Sequence, residues 1–275
     1  MKTCYHSHSR FCDGSGEPEA YVLAAMERGF SAFGFSSHAP LPFETEWNMK
    51  AEDLPEYLAL TRMLRERHAG SIELYTGLEA DWFPGCHDWR TEPGIAYTLG
   101  AVHFLPHPTH GGPLSVDGSL KEFRSTLEEG FDGDIRAFGE AYFAAVRDML
   151  VTMPPNILAH LDVFRKNNAG ERFFDEDAVW YREEMEKTLE VVLLSDVIVE
   201  VNTGGMTRGY LKDPYPDWWA LEAVRDAGIP IMLNADAHRP EHIDSGYPEV
   251  QDRLLSMGFR KQRILLEGIW QDVPL

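Results

Sequence analysis

The sequence has little positive charge, few cysteines and no long apolar run. Its 275 residues include 25 Lys and Arg against 45 Asp and Glu, which gives a formal net charge of −20. A chain of this charge repels polyanions at long range, so the composition argues against a nucleic-acid partner. No stretch approaches the roughly 20 apolar residues that cross a bilayer, and the N-terminus has no apolar signal segment. We therefore expect a cytoplasmic protein that does not contact membranes.

The three cysteines are Cys4, Cys12 and Cys86. They form no Cys-x-x-Cys pair and cannot all pair with one another, so we interpret them as free thiols in a reducing compartment. The sequence also has no internal repeat, no low-complexity tract and no clear linker. Its length and its apolar fraction of 44% predict one large domain over residues 1–275, with room for a single α/β barrel.

Short apolar runs alternate with amphipathic segments along the chain. Proline near the start of a segment and glycine just past its end, as at Pro18 and Gly29, indicate helices between the runs. This alternation predicts βα units and a parallel sheet or barrel. Helix Pro248–Gly258 and the run Arg263–Gly268 look like a closing element. The seven predicted strands are 3–8, 31–38, 72–81, 96–103, 156–162, 197–202 and 229–238.

Six of these seven strands end at groups that can bind metal ions, and a Gly-rich turn after the first strand brings one more acid back toward them. For any one of these residues, a satisfied polar group on a buried strand is the simpler interpretation. The carboxyl ends of parallel strands meet on one face of a barrel, however, and burying all these groups there without cations would be costly. We therefore predict a metal site built from His6, His8, Asp13, His38, Glu79, His103, His160, Asp236 and His238.

The same segments, in this order along the chain, carry a family resemblance. The segments are His6-Ser7-His8, Gly34–Pro40, Gly77–Asp81, Gly100–His103, Ala159–Asp162 and Ala235–His238. The chain resembles the polymerase-and-histidinol-phosphatase (PHP) superfamily over nearly its whole length. Within that superfamily, the turn at Asp13, the segment Glu200–Thr203 and the segment Asp236–Glu241 are most similar to the monofunctional histidinol-phosphate phosphatases.

The resemblance implies a distorted seven-stranded (β/α) barrel that holds three divalent metal ions, which could be Zn, Fe or Mn. It assigns His6, His8, Glu79 and Asp236 to one ion, Glu79, His103 and His160 to a second, and Asp13, His38 and His238 to a third. A carboxylate has two oxygens and can bind two cations roughly 3.5–4 Å apart, which suits Glu79 as the bridging ligand.

Two residues depart from the family pattern. Ser37 and Ala235 stand where the family commonly has Asp and Ser. Groups that orient a metal-bound histidine tune its basicity, so these changes could alter the affinity for the third metal without removing a ligand.

The resemblance also implies hydrolysis of a phosphomonoester, L-histidinol phosphate, in histidine biosynthesis. The attacking group would be a hydroxide that bridges two metals, with Glu79, Asp236 and His238 as the catalytic residues. Asp236 and His238 are alternatives for protonating the leaving alkoxide. Other candidate functions are a PHP-type phosphatase or phosphodiesterase acting on phosphotyrosine or nucleotides, and a catalytically idle metal-binding domain. The oligomeric state stays open.

Cations follow the fifth and sixth predicted strands. Arg165 and Lys166 come after the fifth strand and Arg208 after the sixth, so we predict that they bind the substrate phosphate. The alternative for each is a solvated loop cation. The loop 40–49, which contains Trp47, follows His38 and could cover the mouth of the barrel.

Overall fold

The structure, a computed structural model, describes residues 1–275. The strands are β1 (Thr3–Cys4), β2 (Ala32–Phe35), β3 (Glu73–Asp81), β4 (Tyr97–Ala101), β5 (Phe104–Pro106), β6 (Pro113–Ser115), β7 (Ile157–Leu158), β8 (Ile198–Asn202), β9 (Ile231–Asn234), β10 (Lys261–Leu266) and β11 (Ile269–Pro274). The helices are α1 (Pro18–Glu27), α2 (Leu54–Arg67), α3 (Leu120–Phe131), α4 (Ile135–Thr152), α5 (Val179–Leu194), α6 (Gly204–Thr207), α7 (Trp218–Asp226) and α8 (Tyr247–Met257).

Seven strands form one parallel sheet in the order β1-β2-β3-β4-β7-β8-β9. Every neighbouring pair in this order is parallel. Just beyond β1 and β9, Ser7 bridges Ala237, and the amide of His8 donates to the carbonyl of Ala237 at 2.8 Å. The sheet is thereby a nearly closed barrel, which confirms the predicted fold. Because all seven strands run the same way, their carboxyl ends meet at one mouth.

Two tyrosines, Tyr5 and Tyr97, lie among the aliphatic side chains inside the barrel. Tyr97 lies across the interior, where its hydroxyl hydrogen is shared between the carbonyls of Tyr5 at 2.7 Å and Phe35 at 2.9 Å. A Cβ on Gly34 would lie 2.2 Å from that hydroxyl, and a Cβ on Gly77 would lie 2.5 Å from the same ring. Glycine at these two strand positions therefore makes room for the tyrosine that ties β1, β2 and β4 together.

The predicted closing element is a hairpin and not a strand of the barrel. β10 and β11 pair antiparallel with each other, and Leu265 and Leu266 pack against the interior residues of the barrel. The Tyr5 hydroxyl donates to the carbonyl of Leu265, and the amide of Gly268 donates to the hydroxyl of Tyr75, near the start of β3. The hairpin thus covers the amino ends of the strands, so the opposite end is the one left for chemistry.

Two local elements lie outside the predicted alternation. The β5–β6 hairpin and helix α3 occupy the long connection between β4 and α4. His107 and His110 stack on each other in the turn of that hairpin, with ring centroids 3.8 Å apart.

Cys4, Cys12 and Cys86 are free thiols. None of the helices combines the length and the apolar character of a membrane span.

Candidate metal centre

Glu79 lies at the centre of the residues that the sequence singled out. It is fully buried near the carboxyl end of β3. Its Oε2 lies 3.1 Å from His6 Nε2, 3.3 Å from His8 Nε2 and 3.1 Å from His38 Nδ1. Its Oε1 lies 2.8 Å from His160 Nε2 and 3.6 Å from His103 Nε2. Five imidazoles from four strand ends therefore surround one carboxylate.

Asp13 and Asp236 add two carboxylates to this cluster, and Asp13 is the more exposed of the two. Asp13 Oδ2 lies 3.0 Å from His238 Nε2, and its Oδ1 lies 3.6 Å from His8 Nδ1 and 3.8 Å from His38 Nε2. Asp236 Oδ1 lies 3.2 Å from His8 Nε2. All nine predicted ligands are thus brought together at the mouth. Their partition among three ions stays a prediction, because neighbouring groups share members: His8 lies within reach of both Asp13 and Asp236.

The spacing and chemistry of these atoms fit divalent cations. Two ligand atoms about 2.1 Å from a tetrahedral ion lie roughly 3.4 Å apart, close to the nitrogen–oxygen separations around Glu79. His8 Nε2 and His38 Nδ1 are buried beside carboxylate oxygens and make no hydrogen bond. Buried polar atoms without partners are rare and costly, and a cation between nitrogen and oxygen would satisfy both.

The charges of the cluster also suit metal binding. Burial would raise the pKa of Glu79, but His38 and His6 hold it well below its usual range. Burial, with His238 and His38 close by, lowers the pKa of His8 to about 3, and burial lowers the pKa of His38. At neutral pH Glu79 is therefore ionised and His8 and His38 are neutral, which are the forms that bind metals.

Two of the histidines are held from behind by carboxylates. His6 Nδ1 donates to Glu200 Oε1 at 2.6 Å, and Glu200 is fully buried in β8. His103 Nδ1 donates to Asp81 Oδ1, and Asp81 Oδ2 accepts a hydrogen bond from Asn48 Nδ2 at 3.2 Å. Each carboxylate turns the Nε2 atom of its histidine toward Glu79.

Sequence reasoning did not include Glu200 or Asp81 among the site residues. The available signal was an acid between two valines of β8, and a second acid two residues after Glu79. An acid in a buried strand needs a partner, but the sequence alone does not show which one.

The three predicted phosphate ligands lie in different surroundings. Arg208 is at the mouth, with Nη2 2.8 Å from Asp236 Oδ2 and Nη1 2.8 Å from His238 Nδ1, and 29% of its side chain is exposed. Lys166 is 22% exposed and contacts the carbonyl and the carboxylate of Asp117.

Arg165 is only 3% exposed and is surrounded by acceptors. Its guanidinium lies 2.8 Å from Asp162 and from Glu176, 3.3 Å from Asp217 and 2.9 Å from the carbonyl of Pro214. Its role as a phosphate ligand stays a prediction, and in this structure its donors face protein groups.

The loop 40–49 places an aromatic wall beside the cluster. The Trp47 ring packs edge-on against His38 and His103, with centroid distances of 4.4 and 5.2 Å. It also stacks on Phe104 at 5.4 Å. Trp47, in the loop that was predicted to cover the mouth, therefore lies against two of the candidate ligands and shields one side of them from water.

The fold and the site together define a class of protein. The chain matches the PHP domain family over residues 5–204, which is well over half of its length. The chain therefore belongs to the PHP family.

Individual proteins give a finer comparison. A Deinococcus radiodurans protein named "Probable histidinol-phosphatase" is 28% identical over 268 residues, which cover 93% of each chain. A solved Listeria monocytogenes protein, assigned provisionally as the histidinol phosphatase hisK, has a TM-score of 0.79 and 24% identity over 90% of this chain and 99% of its own. The Lactococcus lactis histidinol phosphate phosphatase, solved with zinc, L-histidinol and phosphate, has a TM-score of 0.71 and 20% identity over 98% of both chains.

Proposed function

We propose that this protein is a metal-dependent phosphomonoesterase that hydrolyses L-histidinol phosphate to L-histidinol and phosphate, a step of histidine biosynthesis. The observation that carries the proposal is the convergence of imidazoles and carboxylates on Glu79, with Arg208 at the open side. The names of the similar proteins point to the same substrate, and the Lactococcus lactis protein was solved with the two products of that reaction.

The donor set fits zinc, iron or manganese, because mixed imidazole and carboxylate ligands suit all three. We propose that three ions bind, with Glu79 shared between two of them as the sequence predicts. When bound, the ions would supply an activated water as the nucleophile and would neutralise the phosphoryl oxygens. The similar protein from Lactococcus lactis contains zinc.

In this proposal, cationic side chains of the chain bind the substrate phosphate. Arg208 can turn its fork toward a phosphate, since its present partners, Asp236 and His238, lie at the same mouth. Lys166 is the second candidate, because part of its side chain is exposed. Arg165 would have to leave three carboxylates before it could bind phosphate, so it is the least favoured of the three.

The proton for the leaving alkoxide has two candidate donors. Burial would raise the pKa of Asp236, but Arg208 and His6 hold it well below its usual range, so its carboxyl is ionised at neutral pH. Burial would lower the pKa of His238, but Asp13 raises it. A proton donor must carry a proton at the working pH, so the directions of the two pKa shifts favour His238. His238 cannot both donate this proton from a ring nitrogen and bind the third ion through the same atom.

A substrate panel tests the proposal. The purified protein, supplied with Zn²⁺, Mn²⁺ or Fe²⁺, is assayed for phosphate release from L-histidinol phosphate, phosphotyrosine and nucleoside monophosphates, and for release of the alcohol from a phosphodiester. We expect kcat/KM to be highest for L-histidinol phosphate. A higher value for another member would reassign the substrate, and no hydrolysis of any member would favour the catalytically idle domain.

A further inference from the structure

Glu200 is a buried acid that the metal-binding assignment leaves without a role. It lies in β8, where Val199 and Val201 point outward into the large core and Ile198 points into the barrel interior. Side chains alternate along a strand, so Glu200 and Asn202 also face the interior, nearer the mouth than Ile198. The Glu200 side chain has no exposed surface. A carboxylate this deep must be held by specific partners.

Four donors surround the Glu200 carboxylate. Its Oε1 accepts hydrogen bonds from His6 Nδ1 at 2.6 Å and from Asn234 Nδ2 at 3.0 Å. Its Oε2 accepts from the backbone amide of His160 and from Asn202 Nδ2, both at 2.9 Å. A carboxylate has about four acceptor positions, so all of them are used. A proton on either oxygen would take the place of one of these donors.

The contact with His6 fixes which ring nitrogen of that histidine carries a hydrogen. Glu200 offers only acceptors, so His6 Nδ1 must be the donor and the neutral ring must keep its lone pair on Nε2. His6 Nε2 lies 3.1 Å from Glu79 Oε2 and 3.7 Å from Asp236 Oδ1. The ring is therefore locked in the one form that can bind a cation between these two carboxylates.

The other contacts reach further candidate ligands. The amide of His160 is held at the end of β7, and Asn202 Nδ2 also lies 3.3 Å from Asp236 Oδ2. Asn234 Oδ1, in turn, accepts a hydrogen bond at 2.8 Å from the backbone amide of Tyr5, the residue before His6. Glu200, in β8, thus connects the ligand-bearing ends of β1, β7 and β9.

We propose that Glu200 is a positioning residue: it fixes the tautomer and orientation of His6 and sets the metal affinity of the site at which His6, Glu79 and Asp236 meet. This inference rests on the proposed metal-dependent function, but it does not depend on the identity of the substrate. Carboxylates behind a ligating histidine typically change metal affinity by about 10- to 100-fold.

The test is the variant Glu200→Gln, which keeps the shape of the side chain. Its amide NH₂ takes the place of one oxygen and must then face two of the four donors. If the NH₂ faces His6, the His6 proton moves to Nε2 and blocks the ligand atom. If it faces the opposite side, it loses the hydrogen bonds to His160 and Asn202. Either outcome weakens the metal site. We expect the zinc affinity of the metal-stripped protein, measured by competition with a chromophoric chelator, to fall about 10- to 100-fold.

The matched control is Glu184→Gln. Glu184 is also buried, but it lies in α5 and pairs with Arg147 and Lys187, away from the mouth. This variant should keep the zinc affinity of the wild type. Glu200→Asp keeps the negative charge and should show an intermediate affinity. It also serves as the second variant if Glu200→Gln does not fold.

Two results would overturn the inference. One is a zinc affinity of Glu200→Gln, or of Glu200→Asp if only that variant folds, equal to that of the wild type. The other is an equal loss in Glu184→Gln, which would indicate general destabilisation. Failure of the wild type to hydrolyse L-histidinol phosphate would remove the substrate assignment and leave this measurement unaffected.

Discussion

Replacement of Arg165 by Ala separates a structural role from a phosphate-binding role. The substitution would leave Asp162, which is fully buried, without its cation, together with Glu176 and Asp217. Burial already raises the pKa of Asp162 to about 6, although Arg165 opposes the shift. Breaking a buried ion pair from one side costs about 3–5 kcal/mol. In a chain of this length, that loss corresponds to a fall of roughly 5–9 °C in Tm.

The assay compares thermal unfolding with steady-state kinetics on L-histidinol phosphate. We expect Arg165→Ala to lower Tm by that amount, and the folded fraction to keep a KM within a few-fold of the wild-type value. Arg165→Lys keeps the charge but not the planar guanidinium, so its Tm should lie between the Tm values of Arg165→Ala and the wild type. Arg136→Ala, which removes an exposed pair with Glu140, is the control and should leave Tm nearly unchanged. An unchanged Tm with a strongly raised KM for Arg165→Ala would refute this reasoning and would indicate that Arg165 binds the substrate phosphate.

Three further predictions concern the mouth. Glu79→Gln leaves one acceptor oxygen where five imidazoles meet, so we expect fewer bound ions by elemental analysis and a kcat/KM lower by on the order of 10³-fold; wild-type metal content would contradict this. Arg208→Ala removes two charge-assisted hydrogen bonds to phosphate, about 3–4 kcal/mol, so kcat/KM should fall about 10²- to 10³-fold with partial recovery in Arg208→Lys; unchanged kinetics would make Arg208 a structural partner of Asp236. In metal-free protein burial would lower the pKa of His103, but Asp81 and Asp117 raise it to about 10. A raised histidine pKa stabilises the fold fully below about pH 6.5 and progressively less up to about pH 10, so the Tm of metal-free protein should fall across that range, and less steeply in Asp81→Asn. Equal slopes in the two proteins would contradict the last prediction.

Much of the barrel and of the ligand cluster could be predicted from the sequence, because both depend on local patterns. An apolar run that ends in His38 or His103 is visible in a few residues. Because the strands are parallel, such ends meet at one mouth regardless of the structure of the segments between them. The structure does bring His8, Glu79 and Asp236 together, although they are far apart along the chain. The direction of the strands was enough for this prediction.

The rest depends on contacts between distant segments. Arg165 follows the end of a predicted strand, and that position led to its prediction as a phosphate ligand. Its partners Glu176 and Asp217 come from two later segments, and the sequence does not show that these segments lie near it. Glu200 lies between Val199 and Val201 in β8, and His6, its partner, is 194 positions away. The segment Arg263–Gly268 was expected to be a closing element, but its pairing with β11 depends on how the hairpin packs under Tyr5.

Metal titration of the stripped protein tests the central claim most directly. Metal-free protein, checked by elemental analysis, is titrated with Zn²⁺ or Mn²⁺ while phosphate release from L-histidinol phosphate is followed. We predict negligible activity without metal and a rise that tracks bound metal up to about three equivalents per chain. Full activity in the metal-free protein, or no activity with every site filled, would contradict the account.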